Sequence, residues 1–428
     1  MRVRGRLSVV TVGCKANFAD SAAILAHAAR AGFEVVGDGA PADVLVINSC
    51  TVTRRADRDC RALARRLRRA HPGAVLVMTG CFAETTPEAR ASVPEVDHWL
   101  GIREPSGLPL LLRFLAGNAP PPDEELSDFA AARLLGHSRV FLKVQDGCDA
   151  ACAYCVVPKA RGAGRSLPRR EVVERAVRAE RDGAREIVLT GIHTGRYGAD
   201  RGDRDGLAGL VEGLLQATSG CRFRLGSVEP LEISSALVSL LSKEGRLCPH
   251  LHVPLQGGSD RVLLRMRRPY TARQYRERLD LLAAEVPGIR LGADVIAGFP
   301  GETRDDFEET MRLIRDTPLS YLHAFPYSPR AGTESAGWTD DVSAAEKTRR
   351  VARLREADVA MRREYLGKQV GKTLVAAASA RDPKTGEMRG TTENYAEAVF
   401  RAAIAARGDL IPVRIDAVRG EHLEGTAV

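Results

Sequence analysis

Three short apolar runs, each delivering a cysteine, constrain this chain more than any other feature. Residues 7–12 lead into Gly13-Cys14, residues 43–47 into Asn48-Ser49-Cys50, and residues 74–78 into Thr79-Gly80-Cys81. The runs are rich in Val and Ile and are separated by helix-like segments over 21–31 and 56–70. That alternation predicts a parallel sheet covered by helices. In such sheets ligands sit at the carboxyl ends of the strands, and here that edge receives three thiols set 36 and 31 positions apart. Unrelated buried thiols would rarely all fall at one strand edge. Cys14, Cys50 and Cys81 are therefore read as ligands of a single metal cluster. Cys60, inside the intervening helix, has no partner spacing and reads as structural. Gly13 and Gly80 suit close backbone approach to a cluster, and equally suit ordinary strand-to-helix turns.

A second triad, Cys148, Cys152 and Cys155, follows a strand-like run over 139–145. The spacing C-x3-C-x2-C lets one loop wrap one metal centre. Structural zinc wants a fourth nearby ligand, yet the next His after Cys155 is His193 and the next Cys is Cys221. Three thiolates suffice for a four-iron cubane with one open iron, where a small molecule can bind and accept an electron. A zinc loop borrowing a distant ligand is the alternative. Tyr154 either packs over such a centre or is plain loop packing. The spacing resembles that of the radical S-adenosylmethionine (SAM) enzymes, which implies SAM as a cofactor.

From 137 to 365 strand and helix patterns alternate six times, with strands expected over 140–145, 186–189, 222–226, 250–255, 292–296 and 319–325. Six such units make a partly open (βα)6 barrel, two short of the closed eightfold one. Thr190, Gly191, Ser227, Glu229 and Gln256 fall just after strands and are chemically suited to hold SAM. His250, His252 and His323 lie on strands and read as packed, hydrogen-bonded side chains. Cys221 and Cys248 precede strands, at the opposite face, and are excluded as ligands.

The 428 residues are enough for two or three domains, and 44% hydrophobic with 28% charged content is that of a folded soluble chain. No run approaches the roughly 18 apolar residues of a membrane span. Nine cysteines without a staple-like spacing, and a basic start too short for a signal sequence, place the chain in a reducing cytoplasm. The expected division is an α/β domain over 1–116, a Pro-rich acidic linker over 117–136, the barrel over 137–365, and a small all-β barrel of the oligonucleotide-binding kind over 366–428. Its strands are expected over 370–376, 397–400 and 411–417. Arginine-rich tracts at 54–69 and 345–363 are candidate phosphate contacts, or solvated helix faces.

Taken together, the motifs resemble the radical-SAM methylthiotransferase family along essentially the whole chain. Gly13-Cys14-Lys15-Ala16-Asn17, Asn48-Ser49-Cys50-Thr51-Val52-Thr53 and Thr79-Gly80-Cys81 look like its auxiliary-cluster motifs. Cys148, Cys152, Cys155 and the following Arg161-Gly162 look like its SAM-cluster motif. The resemblance implies two [4Fe-4S] clusters, a C-terminal TRAM domain that grips tRNA, an electron donor such as a flavodoxin or ferredoxin, and a sulfur donor. One SAM would methylate a sulfur held on the auxiliary cluster, and a second would be cleaved to a radical that activates C2 of an adenine. Gly13-Cys14-Lys15, Gln145-Asp146-Gly147-Cys148, residues 247–252 and Arg265-Met266-Arg267-Arg268 look most like the branch acting on N6-threonylcarbamoyladenosine 37 beside the anticodon. The isopentenyl-adenosine branch, or a radical-SAM enzyme whose second cluster only relays electrons, are the alternatives. Phe18, Lys159 and Gly258 depart from the usual residues. Lys159 and the Arg267/Arg268 pair are candidates to read the threonyl carboxylate. Removal of everything after residue 366 is expected to weaken tRNA binding and to spare SAM cleavage.

Overall fold

A computed structural model of the chain describes residues 5–38, 40–86, 88–104, 106–117, 126–203 and 206–428. Most of the acidic Pro-rich stretch, residues 118–125, lies outside them. The N-terminal unit is an all-parallel five-stranded sheet whose three central strands are Arg6–Thr11, Val44–Ser49 and Val75–Gly80, in that spatial order. Val44–Ser49 is buried along its entire length, as a Val/Ile run in the middle of a two-sided sheet must be. Two-residue strands, Glu34–Val35 and His98–Trp99, flank the three and were too short to carry a sequence pattern. Helix Lys15–Arg30 covers one face and Arg54–Ala70 the other, with separate apolar cores beneath them.

The central unit carries six parallel strands: Val140–Lys143, Glu186–Thr190, Arg222–Leu225, His250–His252, Arg290–Ala297 and Tyr321–Pro326. They form two hydrogen-bonded triplets, joined across the middle only by single bridges such as Ser227 to His252. Helices alternate with the strands; Ser234 caps one of them, and Thr271 and Thr303 each form reciprocal capping boxes. One core runs continuously through the barrel.

The gap between the first and last barrel strands faces the N-terminal unit. On one side Lys143 meets Asp20 of helix Lys15–Arg30 at 2.5 Å, and Arg161 reaches the same carboxylate at 2.8 Å. On the other, Arg330 beyond the last strand binds Thr51 and Asp57 at 2.6 and 2.7 Å. The open barrel is thus shut by a neighbour rather than by two more strands.

Within 117–136, Asp128–Leu134 is a helix capped by Ser127, and its Ala131 and Ala132 enter the cores of the N-terminal unit and of the barrel respectively. This part of the connection is packed. On the helix Ala344–Gly367, Lys347, Arg349, Arg350, Arg353 and Arg362 are each paired with a carboxylate of the chain, while Arg355 and Arg363 are exposed.

The C-terminal unit is a closed five-stranded barrel, where three strands were expected. The two additional strands, Met388–Thr392 and His422–Ala427, are polar and contain Gly, so their alternation is weak. Strand order and one parallel pairing, Glu397–Arg401 with His422–Ala427, match an oligonucleotide-binding barrel. This unit docks on the amino-terminal mouth of the central barrel. Arg222 donates to the carbonyls of Val375 and Thr391, Arg224 to those of Thr392 and Glu393, and Arg290 to that of Tyr395. No described helix is long and apolar enough to cross a membrane.

Candidate active site

The three strand-end loops of the N-terminal sheet converge. A side chain at Gly13 would meet the Cβ of Cys50 at 2.9 Å, and one at Gly80 would meet the carbonyl of Ser49 at 2.4 Å. Both glycines have positive φ, +136° and +95°, so close approach and backbone conformation demand glycine together. A polar clasp holds the loops in place. Asn17 donates to Asn48 Oδ1 and to the carbonyl of Ser49, Asn48 returns a bond to the carbonyl of Asn17 at 2.8 Å, and Ser49 binds the carbonyl of Thr79. Cys14, Cys50 and Cys81 share this edge. Cys60 does not: fully buried, its thiol points at the carbonyl of Cys50 from behind, at 3.5 Å.

The second triad lies in a loop between strand Val140–Lys143 and the short helix Val157–Arg161. Gln145 pins the loop by donating to the carbonyls of Asp146 and Gly147 while accepting from the amide of His193. The amide of Cys148 closes the turn onto the carbonyl of Gly162 at 3.0 Å. Cys148, Cys152 and Cys155 line one open cavity of about 490 Å³, with Arg267, Gly332 and Glu334 on its far wall. Arg161 ties this loop to the other triad. It is 2% exposed, pairs with Asp20 and Asp146, and directs Nε at Cys81 Sγ from 3.3 Å.

Sulfur atoms of both triads receive N–H groups. Arg268 Nη1 lies 3.3 Å from Cys152 Sγ, the amide of Ala150 3.4 Å from Cys148 Sγ, and His193 Nδ1 3.3 Å from Cys148 Sγ. Burial pushes the Cys81 and Cys155 thiols up to about 12. Thiolates in such places need a bound cation to be stable. Among the described residues, the trio of ligating side chains tight enough for a single ion is His252, Asp294 and His323, whose ligand atoms lie within 4.8 Å of one another. Neither cysteine triad is that tight, whereas zinc with sulfur bonds near 2.3 Å would need it. Soft donors, N–H groups aimed at sulfur and wider spacing fit a multi-iron cluster at both positions.

The chain matches the family model of the Radical SAM superfamily over residues 142–314, and that of the uncharacterized protein family UPF0004 over residues 6–101. It is 36% identical, over 95% of its length and 92% of the relative's, to the threonylcarbamoyladenosine tRNA methylthiotransferase MtaB of Bacillus subtilis (strain 168). Against the protein of the same name from Aquifex aeolicus (strain VF5) it is 34% identical, over 96% and 100%. Against the tRNA-2-methylthio-N(6)-dimethylallyladenosine synthase of Pseudomonas fluorescens (strain Pf0-1) it is 34% identical, over 99% of both. The chain belongs to the radical-SAM methylthiotransferase family. Among solved structures, the radical S-adenosylmethionine methyltransferase TsrM from Kitasatospora setae, with cobalamin and [4Fe-4S] cluster bound, shares the fold at a TM-score of 0.55, 15% identity and 77% coverage of each chain.

A methylthiotransferase of this superfamily uses SAM and at least one iron–sulfur cluster, and the expected SAM-pocket residues are unequally placed for it. Thr190 is buried, and a side chain at Gly191 would meet the carbonyl of Gln145 at 2.9 Å. Ser227 is exposed at its strand end, and Gln256 holds a positive φ of 64° while its backbone spans Asp294 and Ile296. Glu229 is already engaged by Arg268, and burial raises its carboxyl pKa. The Arg267/Arg268 pair is split: Arg268 turns inward to Glu229, Cys152 and Tyr270, while Arg267 faces the open cavity and pairs with Glu334 at 2.8 Å. Lys159 is exposed beside Gly332 at the cavity rim. His193, 45 positions from Cys148, had no spacing signal that could have revealed its contact. Asp20 and Lys143 were equally silent. His250 and His252 are hydrogen-bonded to Tyr321, as expected of strand histidines.

Proposed function

We propose that this methylthiotransferase replaces the C2 hydrogen of N6-threonylcarbamoyladenosine 37 in tRNA with a methylthio group. Cys14, Cys50 and Cys81 would hold an auxiliary [4Fe-4S] cluster in residues 1–116, and Cys148, Cys152 and Cys155 a second cluster in residues 137–365. Thr190, Gly191, Ser227, Glu229 and Gln256 would surround SAM, residues 117–136 would join the two units, and residues 366–428 would contribute to tRNA binding. A flavodoxin- or ferredoxin-type electron donor and a sulfur donor complete the system, in the cytoplasm. The observation that carries this reading is the meeting of two thiol triads through Arg161, in a chain whose relatives bear the threonylcarbamoyladenosine name. Cys60 supports it by its placement, since its thiol faces a carbonyl and offers no fourth ligand for an electron-relay cluster.

When bound, the clusters and SAM supply one-electron chemistry able to act on an unactivated aromatic C–H bond. The chain's own residues set the stage. Gln145 and Gly147 shape the loop so that Cys148, Cys152 and Cys155 face one cavity. Arg268 and Arg161 place N–H groups against the sulfurs of Cys152 and Cys81, and at Cys81 the Arg161 charge works against the effect of burial. Six of the eight arginines on helix Arg54–Ala70 (54, 55, 58, 65, 66 and 69) are exposed, and offer a phosphate contact next to Cys50.

The test is mass spectrometry of nucleosides from tRNA incubated anaerobically with reconstituted enzyme, dithionite, sulfide and SAM. A methylthio adduct on threonylcarbamoyladenosine is expected, from protein holding about eight iron per chain. An adduct confined to isopentenyl-adenosine moves the chain to the Pseudomonas-type activity. Four iron or fewer removes the second cluster.

A further inference from the structure

Among the described residues, seven arginines are less than a tenth exposed: Arg161, Arg222, Arg224, Arg268, Arg290, Arg330 and Arg350. Six of them face a carboxylate: Asp20, Glu186, Glu186, Glu229, Asp57 and Glu302 respectively. Arg290, 3% exposed, forms no ion pair among the described residues, and the Asp358 carboxylate acts on it without direct contact while paired to Arg362. Its Nη1 binds the carbonyl of Tyr395 at 2.7 Å, its Nε has no hydrogen-bond partner, and its plane lies over the Tyr321 and Tyr365 rings. A buried guanidinium with an unmade bond is costly unless something anionic arrives.

Arg290 opens onto a pocket of about 230 Å³ between the mouth of the central barrel and the C-terminal barrel, walled also by Arg139, Tyr321, His323 and Tyr395. The local charge is unbalanced. Glu186 serves Arg139, Arg222 and Arg224 at once. Glu393 accepts the amide of Val375, and Arg362 is matched by Asp358. Asp294 is flanked by His252 and His323, while Glu397 and Glu421 sit at the exposed rim. The Tyr395 wall of the pocket also meets a side chain of the N-terminal unit. Lys15, the residue after Cys14, lies 4.8 Å over the Tyr395 ring, and Arg139 lies 5.9 Å from it.

We propose that this pocket takes the threonyl carboxylate of the substrate nucleoside, on Arg290 and Arg139, with Tyr395 of the C-terminal barrel as its wall. The proposal rests on the threonylcarbamoyl reading above. A threonylcarbamoyl arm extends about two residue lengths, roughly 7 Å, from the purine edge. An adenine presented to the Cys14 side of the site would therefore point its acid into the surplus of positive charge. Specificity against isopentenyl-adenosine follows directly: an apolar arm would leave Arg290 buried and unmatched.

The experiment measures binding of three anticodon stem-loops to the reconstituted enzyme. One carries threonylcarbamoyladenosine, one its methyl ester, and one unmodified adenosine. The acid is expected to bind tightest, and the ester to lose roughly 10- to 100-fold, the worth of a charge-assisted pair. Arg139→Met and Arg290→Met should bind acid and ester alike. The ester comparison needs no variant, so a folding defect in Arg290→Met cannot hide the answer. Equal affinity of wild type for acid and unmodified loops defeats the substrate reading itself. Preference for the acid with an equally good ester, or preference retained in both variants, defeats only the pocket. A variant that weakens all three loops equally assigns the pocket to a backbone phosphate instead.

Discussion

Replacing Arg161 by Met tests whether one buried guanidinium cements the seam between the N-terminal unit and the barrel. Arg161 bonds Asp20 across the seam at 2.8 Å and Asp146 within the barrel at 3.0 Å. Removing one partner of a buried pair costs about 3–5 kcal/mol. Lys143 remains within 2.5 and 2.7 Å of the same two carboxylates and limits the damage, which places the expected loss near 3 kcal/mol, the lower end of that range. The assay is anaerobic urea unfolding in a Trp338→Phe background, so that Trp99 at the edge of the N-terminal sheet reports the first transition. A double-mutant cycle with Asp20→Asn isolates the cross-seam bond, with a coupling of about 1.5–3 kcal/mol expected. Additive single changes, within about 0.5 kcal/mol, would refute the reasoning, because then neither group senses the other across the seam.

The docking revises the expectation that truncation after residue 366 spares SAM cleavage: it should abolish 5'-deoxyadenosine formation along with tRNA binding, because it strips five carbonyl acceptors from Arg222, Arg224 and Arg290. A truncated chain cleaving SAM at the full rate would contradict that docking. His137 packs edge-on against Phe18 and Phe141, and burial, aided by Arg139 and Arg407, holds its pKa down at about 4. The unfolded chain therefore binds the extra proton. The stabilising contribution is complete above about pH 6.5 and drains away as pH falls toward 4. Melting temperature should fall across that window, and His137→Phe should flatten the fall; an unchanged slope counts against it.

Periodicity and spacing carried most of the architecture. The Val/Ile runs that end at Cys14, Cys50 and Cys81 are strands because a parallel sheet buries both faces, and all six barrel strands start within two residues of where the pattern put them. Strands with little apolar alternation, such as Met388–Thr392, were invisible for the same reason. The thiols of the candidate site were legible because metal chemistry forces local spacing or repeated strand ends. What surrounds them was not. Arg268 at Cys152, His193 at Cys148 and Asp20 at Arg161 are separated by 116, 45 and 141 positions, and only the closed fold brings them together. Lys347, Arg350 and Arg353 looked free because the carboxylates that match them, Asp340, Glu302 and Glu308, lie on other elements or outside the tract.

The docking of the last sixty residues onto the barrel mouth also dictates an order of assembly. As the chain leaves the ribosome, both thiol triads emerge long before Tyr395 and the carbonyls that satisfy Arg222, Arg224 and Arg290. Until then Arg290 lacks its carbonyl acceptor and Arg222 and Arg224 have Glu186 alone, so the floor of the barrel is completed only by the last residues to be made.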